Sequence, residues 1–331
     1  MDRRQRSVTK MKLYLGLIEN SALHQTRVFV EAESKLVDMK LALSQLDKTN
    51  TSSFPTVSYP DSIAGILQLG EPALEAVDKL LISALQNGVS SLRGPAGEKA
   101  VYDSSEIRIL PPLQTPQKSI VIGFSDQARS EATPKSEIPT GFYKLPQTFV
   151  TSGAPIIWPK FADELDADAC LAIVIGKAGK RIEAARAWDY VGGVMLLVDI
   201  TSRDINRREA LTTNNLLGKN FPTSTSLGPA VLVKPSRTEL DRITVELSID
   251  GSVKQTFTLG ECIFTIEQII ARWSILGIKP GDFLAIGASM AWRGGRLQNP
   301  APLKVGSQLR CFASALGELS HLVISAGAPR R

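Results

Sequence analysis

Along the first hundred residues the hydrophobic period changes from element to element. The runs KLYLGLI and RVFVEAE are short and β-like, whereas DSIAGILQL and ALEAVDKLLISAL space their apolar residues three and four apart, as amphipathic helices do. The stretches NTSSFPTVSYP and NGVSSLRGPAGEK, rich in turn formers, join these elements. The pattern predicts a small α+β domain over residues 11–110, preceded by a tail or extension over 1–10 that ends before a second methionine, Met11.

After Pro111 and Pro112, strand signals dominate. SIVIGF, LAIVIG, VGGVMLLVDI, LGPAVLVK, RITVELSI, FLAIGA, QLRCFAS and HLVIS are short and rich in β-formers. Asp250-Gly251, set between alternating runs, predicts a two-residue type I′ hairpin. Two segments read as helices, one around EAARAWDYV and one at TIEQIIARWSIL, where Thr265 is the N-cap and Gln268 follows three residues on. Because strands outnumber helices, the predicted fold class is α+β. A β-rich mixed roll or sandwich over 111–331 would carry the small N-terminal domain, in preference to a doubly wound sheet.

Composition narrows the function classes. A chain of 331 residues is long enough for two cores, and 43% hydrophobic with 21% charged residues is a globular balance. Much of the net charge of +5 sits in MDRRQRSVTK and in Arg330 and Arg331. With no basic stripe interleaved with aromatics, nucleic acid is not an expected partner. Runs such as VMLLV fall far short of the roughly 18 apolar residues that span a bilayer, so no membrane association is expected. Three cysteines in apolar surroundings argue against a disulfide framework and for a reducing compartment, and without a signal-peptide pattern the expected location is the cytoplasm.

The segment DADACLAIVIGK opens with acids and ends as an apolar run. In a strand, side chains alternate, so Asp166, Asp168 and Cys170 share a face. Two carboxylates and a thiol on one face mark a candidate site.

The order of segments over residues 119 to 325 resembles the fumarylacetoacetate hydrolase family. SIVIGF followed by an acidic loop and GFYK, a proline-rich stretch, DADACLAIVIGK, AWDYVGGVMLLVDITSRD, LLGKNFPTSTSLGP, IDGSVKQ and PGDFLAIGA are each similar to family segments. Together they cover about two thirds of the chain, and their shared order is more specific than any one of them. The resemblance implies a β-rich catalytic fold, commonly a homodimer, with a small-molecule substrate. The implied chemistry acts on 2-oxo acids and 1,3-diketones. In the family a divalent cation held by three carboxylates chelates the substrate, a His/Glu pair activates water, and the metal and a lysine stabilise an enolate.

Carried over position by position, the resemblance is uneven. The implied metal ligands fall on Asp168, Cys170 and Asp199. Cys170 suits Zn²⁺ or another soft ion better than Mg²⁺ or Mn²⁺, so the expected site is a degenerate one that holds Mg²⁺ or Mn²⁺ weakly, holds Zn²⁺ through Cys170, or works without metal. Where the family has its histidine this chain has Gln127 or Ala128, and its glutamate matches Glu131. The two histidines, His24 and His321, lie in no matching segment and read as surface or packing residues.

The family lysine falls on Lys219, while the aspartate that usually follows it is replaced at Pro222. Gly-Thr-Pro becomes Gly287-Ala288-Ser289. Expected catalytic residues are therefore Glu131 and Lys219. Tyr143, Lys144, Ser289, Trp292 and Arg293 are expected at the substrate, with Arg203 and Asp204 bracing from behind. The segment 130–141, rich in Pro, Ser and Gly, is expected to act as a lid.

Three functions follow. The first is an enzyme of this family using enolate chemistry without hydrolysis, by tautomerisation, decarboxylation or cyclisation, because the missing histidine removes water activation specifically. The second is a conventional acylpyruvate-type C–C hydrolase with a metal on Asp168, Asp199 and water, and Glu131 as base. The third is a non-catalytic binding protein that keeps the pocket.

Overall fold

The acidic strand does form. β10 (Leu165–Ile175) is buried along its whole length and pairs antiparallel with β11 (Val191–Ser202), which places Asp168 opposite Asp199 and Asp166 opposite Thr201. The structure, a computed structural model, describes residues 10–19, 25–49, 59–123, 137–212, 214–287, 292–293, 296–297 and 301–327. It divides into two units that meet in sequence between Leu110 and Pro111.

In the first unit, β1 (Lys12–Ile18) pairs antiparallel with both β2 (Thr26–Ala32) and β5 (Ile107–Leu110). The sheet continues through β3 (Lys35–Asp38) to β4 (Val101–Tyr102). Its helices are α1 (Met39–Thr49), α2 (Ile63–Leu69) and α3 (Glu71–Asn87). The Ser62 hydroxyl caps α2 by accepting the Gly65 N–H at 3.2 Å. Ala73, Leu74, Val77, Leu80, Leu81 and Ala84 form the buried stripe of α3 at the spacing the sequence predicts.

The second unit stacks two sheets. One runs β12 (Thr225–Val233), β11, β10, β15 (Phe283–Gly287), β6 (Ser119–Ile122) and β7 (Gly141–Tyr143), with β8 (Phe149–Val150) parallel to β12. The other runs β14 (Ser252–Thr258), β13 (Thr244–Ile249), β18 (Gln308–Ala313), β19 (Gly317–Ser325) and β9 (Ile156–Trp158). Alternation along β10 sends Ala167, Ala169, Leu171 and Ile173 into one core cluster with Leu247, Ile249, Cys311, Leu319 and Val323. Burying each large aliphatic side chain there contributes about 1.5–3 kcal/mol. The opposite face of β10 is left to Asp166, Asp168 and Cys170.

Local signals held where they were strong. Asp250 and Gly251 have φ of 52° and 76°, the left-handed pair of a type I′ turn between β13 and β14. In α6 (Ile266–Trp273) the Thr265 hydroxyl accepts the Gln268 N–H at 3.3 Å, while the Gln268 side-chain oxygen accepts the Thr265 N–H at 2.9 Å.

Two local features differ from the sequence expectation. EAARAWDYV forms 3₁₀ turns over Ala184–Tyr190, not an α-helix. Ala187 and Tyr190, three residues apart, both pack on the core, and that is the period of the tighter turn. The helix α4 (Arg203–Ala210) was not foreseen, because RDINRREA offers no apolar stripe and Asp204 is its one buried residue. The short helix α5 (Arg237–Asp241) and the antiparallel hairpin of β16 (Trp292–Arg293) and β17 (Arg296–Leu297) complete the strands and α-helices of the described residues.

Candidate active site

Asp199 is the hub. Lys144, just beyond β7, is 0% exposed, and its Nζ donates to Asp199 Oδ1 at 2.8 Å, to the Ser224 carbonyl at 3.1 Å and to the Lys219 carbonyl. Lys219 Nζ donates to Asp199 Oδ2 at 2.6 Å and to Thr201 Oγ1 at 2.7 Å, and lies 4.6 Å over the Phe142 ring. Burial works to raise the Asp199 pKa, but the two ammonium groups overcome it and hold the carboxyl below its ordinary value. Burial pulls Lys144 below the usual lysine range, against the attraction of Asp199.

The loop that delivers Lys219 is tied from behind. In the last turn of α4 the Glu209 carboxylate accepts three successive backbone N–H groups, from Leu216 at 3.2 Å, Leu217 at 2.6 Å and Gly218 at 3.0 Å. Asn220 then reaches back to the Tyr143 carbonyl at 3.0 Å, joining this loop to β7.

Arg203 serves the other two acids. Its Nε donates to Asp166 Oδ2 at 3.0 Å and its Nη2 to Asp168 Oδ2 at 2.9 Å. Gln255, from the other sheet, reaches Asp168 Oδ1 at 3.4 Å and fixes the strand by bonding the Ala167 carbonyl and the Ala169 N–H. Asp166 Oδ1 accepts the N–H groups of Ala167 and Ala301, both at 2.9 Å. Burial raises the Asp166 pKa against the pull of Arg203, with the Asp168 charge adding to the rise. Burial lowers the Arg203 pKa, yet Asp168 and Asp166 outweigh it and the guanidinium is held above its ordinary value. Asp204 takes no part in this network: it accepts from Ser202 Oγ at 2.8 Å and from the N–H groups of Asp163 and Glu164, bracing the start of α4.

Cys170 faces Gly287 across β10 and β15. A Cβ built on Gly287 would lie 2.3 Å from the Cys170 sulfur, so the thiol fills the space this glycine leaves open. Its hydrogen-bond contact is a long one, 3.9 Å to the Asp168 carbonyl. Burial, followed by the Asp199 and Asp168 charges, pushes the thiol well above its ordinary pKa. It sits here as a neutral packing group.

The arrangement does not fit a divalent cation. Both oxygens of Asp199 are taken by lysines and both oxygens of Asp168 by Arg203 and Gln255. The third position is a buried thiol. Three carboxylates (Asp166, Asp168, Asp199) face three cations (Lys144, Lys219, Arg203), so their charges balance with no ion added. Among the described residues no group of three or more His, Cys, Asp or Glu side chains is arranged to hold a metal.

The expected residues scatter accordingly. Asp168, Cys170, Asp199, Lys144, Lys219 and Arg203 come together. Lys144 was expected at the substrate but is wholly buried beneath Asp199, because a cation is needed there to compensate the carboxylate. Tyr143 is half exposed on β7. Trp292 and Arg293 lie on the β16 hairpin, their side chains outside the described residues, as are Glu131, Ser289, Gln127, Ala128, Ala288 and His24. The proposed lid over 130–141 is described only from residue 137.

His321 is bonded to other partners: it donates from Nδ1 to the Ala154 carbonyl and accepts the Ser226 hydroxyl at Nε2, both at 2.6 Å. Sequence reasoning missed Thr201, Gln255, Ser224 and Glu209. Only Thr201 left a signal, two residues past Asp199 on the same strand face.

These features coincide with a known class. The C-terminal model of fumarylacetoacetate (FAA) hydrolase matches residues 121–324, and the chain belongs to the fumarylacetoacetate hydrolase family. Among its relatives are oxaloacetate tautomerase fahd2, mitochondrial, of Xenopus laevis, 29% identical over 270 residues covering 81% of this chain and 80% of that protein, and oxaloacetate tautomerase YisK of Bacillus subtilis (strain 168), 30% identical over 231 residues covering 67% and 75%. The chain is an enzyme of this family.

Solved structures share its fold. The fumarylacetoacetate hydrolase of Exiguobacterium antarcticum superimposes with a TM-score of 0.71 at 19% identity, covering 96% of this chain and all of that one. The maleylpyruvate hydrolase of Sphingobium sp. SYK-6, solved with manganese(II) and pyruvate, does so at 0.69 and 17%, with the same coverage. The sheet-rich α+β class read from the sequence is the observed one. Among the described residues no helix is long and apolar enough to cross a membrane.

Proposed function

We propose that this enzyme is a keto–enol tautomerase acting on a small 2-oxo dicarboxylate, with oxaloacetate, the substrate named for its relatives, as the first choice. The observation that carries the proposal is the Lys144–Asp199–Lys219 cluster. It presents a fixed ammonium, Lys219, at a point where the side chain retains 8% exposure, while Asp168 beside it retains 12% and Arg203 18%.

Tautomerisation asks little more of a site. A C–H bond next to the carbonyl breaks, its electron pair forms the C=C bond, and the carbonyl oxygen gains negative charge and then a proton. Lys219 Nζ, already aligned on Asp199 and Thr201, stabilises that oxygen as it becomes anionic. Glu131 is the proposed proton carrier, as the family resemblance implies. The substrate's carboxylates are proposed to meet Arg203 and Arg293. No step needs an activated water, which agrees with a chain whose two histidines lie outside the matching segments. The assembly proposed from the resemblance is a homodimer in the cytoplasm, which light scattering and cell fractionation read directly.

The test follows the ultraviolet absorbance of enol oxaloacetate with and without the protein. Faster decay to the keto form, with oxaloacetate conserved, is expected. Decay at the buffer rate, or cleavage of an acylpyruvate in its place, would overturn the assignment.

A further inference from the structure

The buried lysine has a use beyond holding the fold. We infer that Lys144 is a built-in counter-ion that takes the place of the family's divalent metal at Asp199, and that this enzyme works without a bound metal ion. An ammonium has three N–H donors, and Lys144 has four oxygens within reach of them: Asp199 Oδ1, the Lys219 carbonyl, the Ser224 carbonyl and, at 3.4 Å, the Ser224 hydroxyl. The side chain is fully enclosed, so it has no route to water if another cation claims Asp199. A dication at that carboxylate would set two more positive charges beside an ammonium that has no solvent to screen it, and like charges so enclosed repel strongly.

The two other positions are closed in their own ways. Arg203 and Gln255 cover Asp168, and Cys170 packs on Gly287 in place of a carboxylate. Hard divalent ions take oxygen ligands, so the chain lacks one negative ligand and supplies one internal cation in the same few ångströms.

The electrostatic consequence concerns Lys219. Were it the sole partner of Asp199, the two would form a neutral pair with little field left for a substrate. Lys144 neutralises Asp199 from below, leaving the charge of Lys219 uncompensated toward the substrate side. In the metal-dependent family the cation stabilises the enolate; here Lys219, with Asp199 already compensated by Lys144, takes that role. Lys144 thereby acts through Lys219 as a positioning residue.

The inference rests on the tautomerase reading for its chemical meaning, but its first test does not. Chelator-stripped full-length protein is titrated against Mn²⁺, and the free ion is followed by electron paramagnetic resonance. For the wild type, an undiminished aqueous Mn²⁺ signal is expected; uptake of one ion per chain overturns the inference. The double variant Cys170→Glu with Lys144→Met restores the carboxylate and removes the internal cation, and is expected to take up Mn²⁺. A folded double variant with no uptake shows that these two positions do not decide metal binding and also overturns it. If the double variant fails to fold, the wild-type titration still decides.

Enol decay is then measured with EDTA present. An unchanged rate supports metal independence. Loss with EDTA and recovery with Mn²⁺ overturns the inference while leaving the tautomerase reading intact. Absence of activity under both conditions, with no Mn²⁺ bound, overturns the tautomerase reading and leaves the metal-free site standing.

Discussion

Asp168 and Asp199 stand opposite one another across β10 and β11, yet they share no cation: Arg203 serves the first, and Lys144 and Lys219 serve the second. Adjacent carboxylates repel unless each is separately compensated. This division of partners gives each acid its own cation, while the charge of Asp199 still reaches Arg203 across the strands.

Replacing Lys219 with Met removes the one ammonium that is both aligned on Asp199 and open to the substrate. The expected loss in kcat is about 10²–10³-fold, the usual cost of one oxyanion donor. Circular dichroism should show the fold retained, since Lys144 still compensates Asp199. Enol decay rates measured above saturation check this.

Arg203→Ala leaves Asp166 and Asp168 enclosed without their shared guanidinium. Breaking a buried pair in this way costs about 3–5 kcal/mol. Urea denaturation should show it as a lower midpoint, and adding Asp166→Asn and Asp168→Asn should return part of the loss. If the single variant unfolds at the wild-type midpoint, the carboxylates are not charged in the folded protein.

His321 makes stability depend on pH. Burial lowers its pKa below the ordinary 6.5, against the bond to the Ala154 carbonyl. A lowered pKa means that the unfolded chain takes up the proton first. Stability is therefore full above pH 6.5 and is lost as pH falls from there toward the folded value. The slope contributed is at most about 1.4 kcal/mol per pH unit for one proton. Urea midpoints measured from neutral to mildly acid pH should flatten over this window in His321→Gln.

Glu209→Ala unties the three N–H groups of residues 216–218 from their carboxylate. Because these bonds are exposed, melting temperature should move little. Amide exchange in the 216–218 segment should quicken, and kcat should fall several-fold with KM nearly constant, because Lys219 loses its alignment and not its charge. An unchanged exchange rate would show that the loop is held by something else.

Gly287→Ala would push a Cβ to 2.3 Å from the Cys170 sulfur and 2.5 Å from the Ala169 carbonyl. Overpacking of this kind costs about 1–3 kcal/mol. Adding Cys170→Ala should recover only the part due to sulfur, because the carbonyl contact remains. Thermal melting of the single and double variants separates the two contributions.

What the sequence determined by itself was what local chemistry encodes. The Asp250-Gly251 turn, the Thr265–Gln268 cap and the alternation that turns Asp166, Asp168 and Cys170 to one face depend on neighbours a few residues away, so they were legible. Segment order was enough to reach the family and its β-rich fold. The tertiary structure decided who pairs with whom. Lys144 and Asp199 are 55 residues apart and Gln255 and Asp168 87 apart, and nothing local distinguishes a lysine aimed at substrate from one buried under a carboxylate. Pairing of buried charges is settled by desolvation, which drives each enclosed ion to the nearest opposite charge, and that neighbour exists only once the sheet has formed.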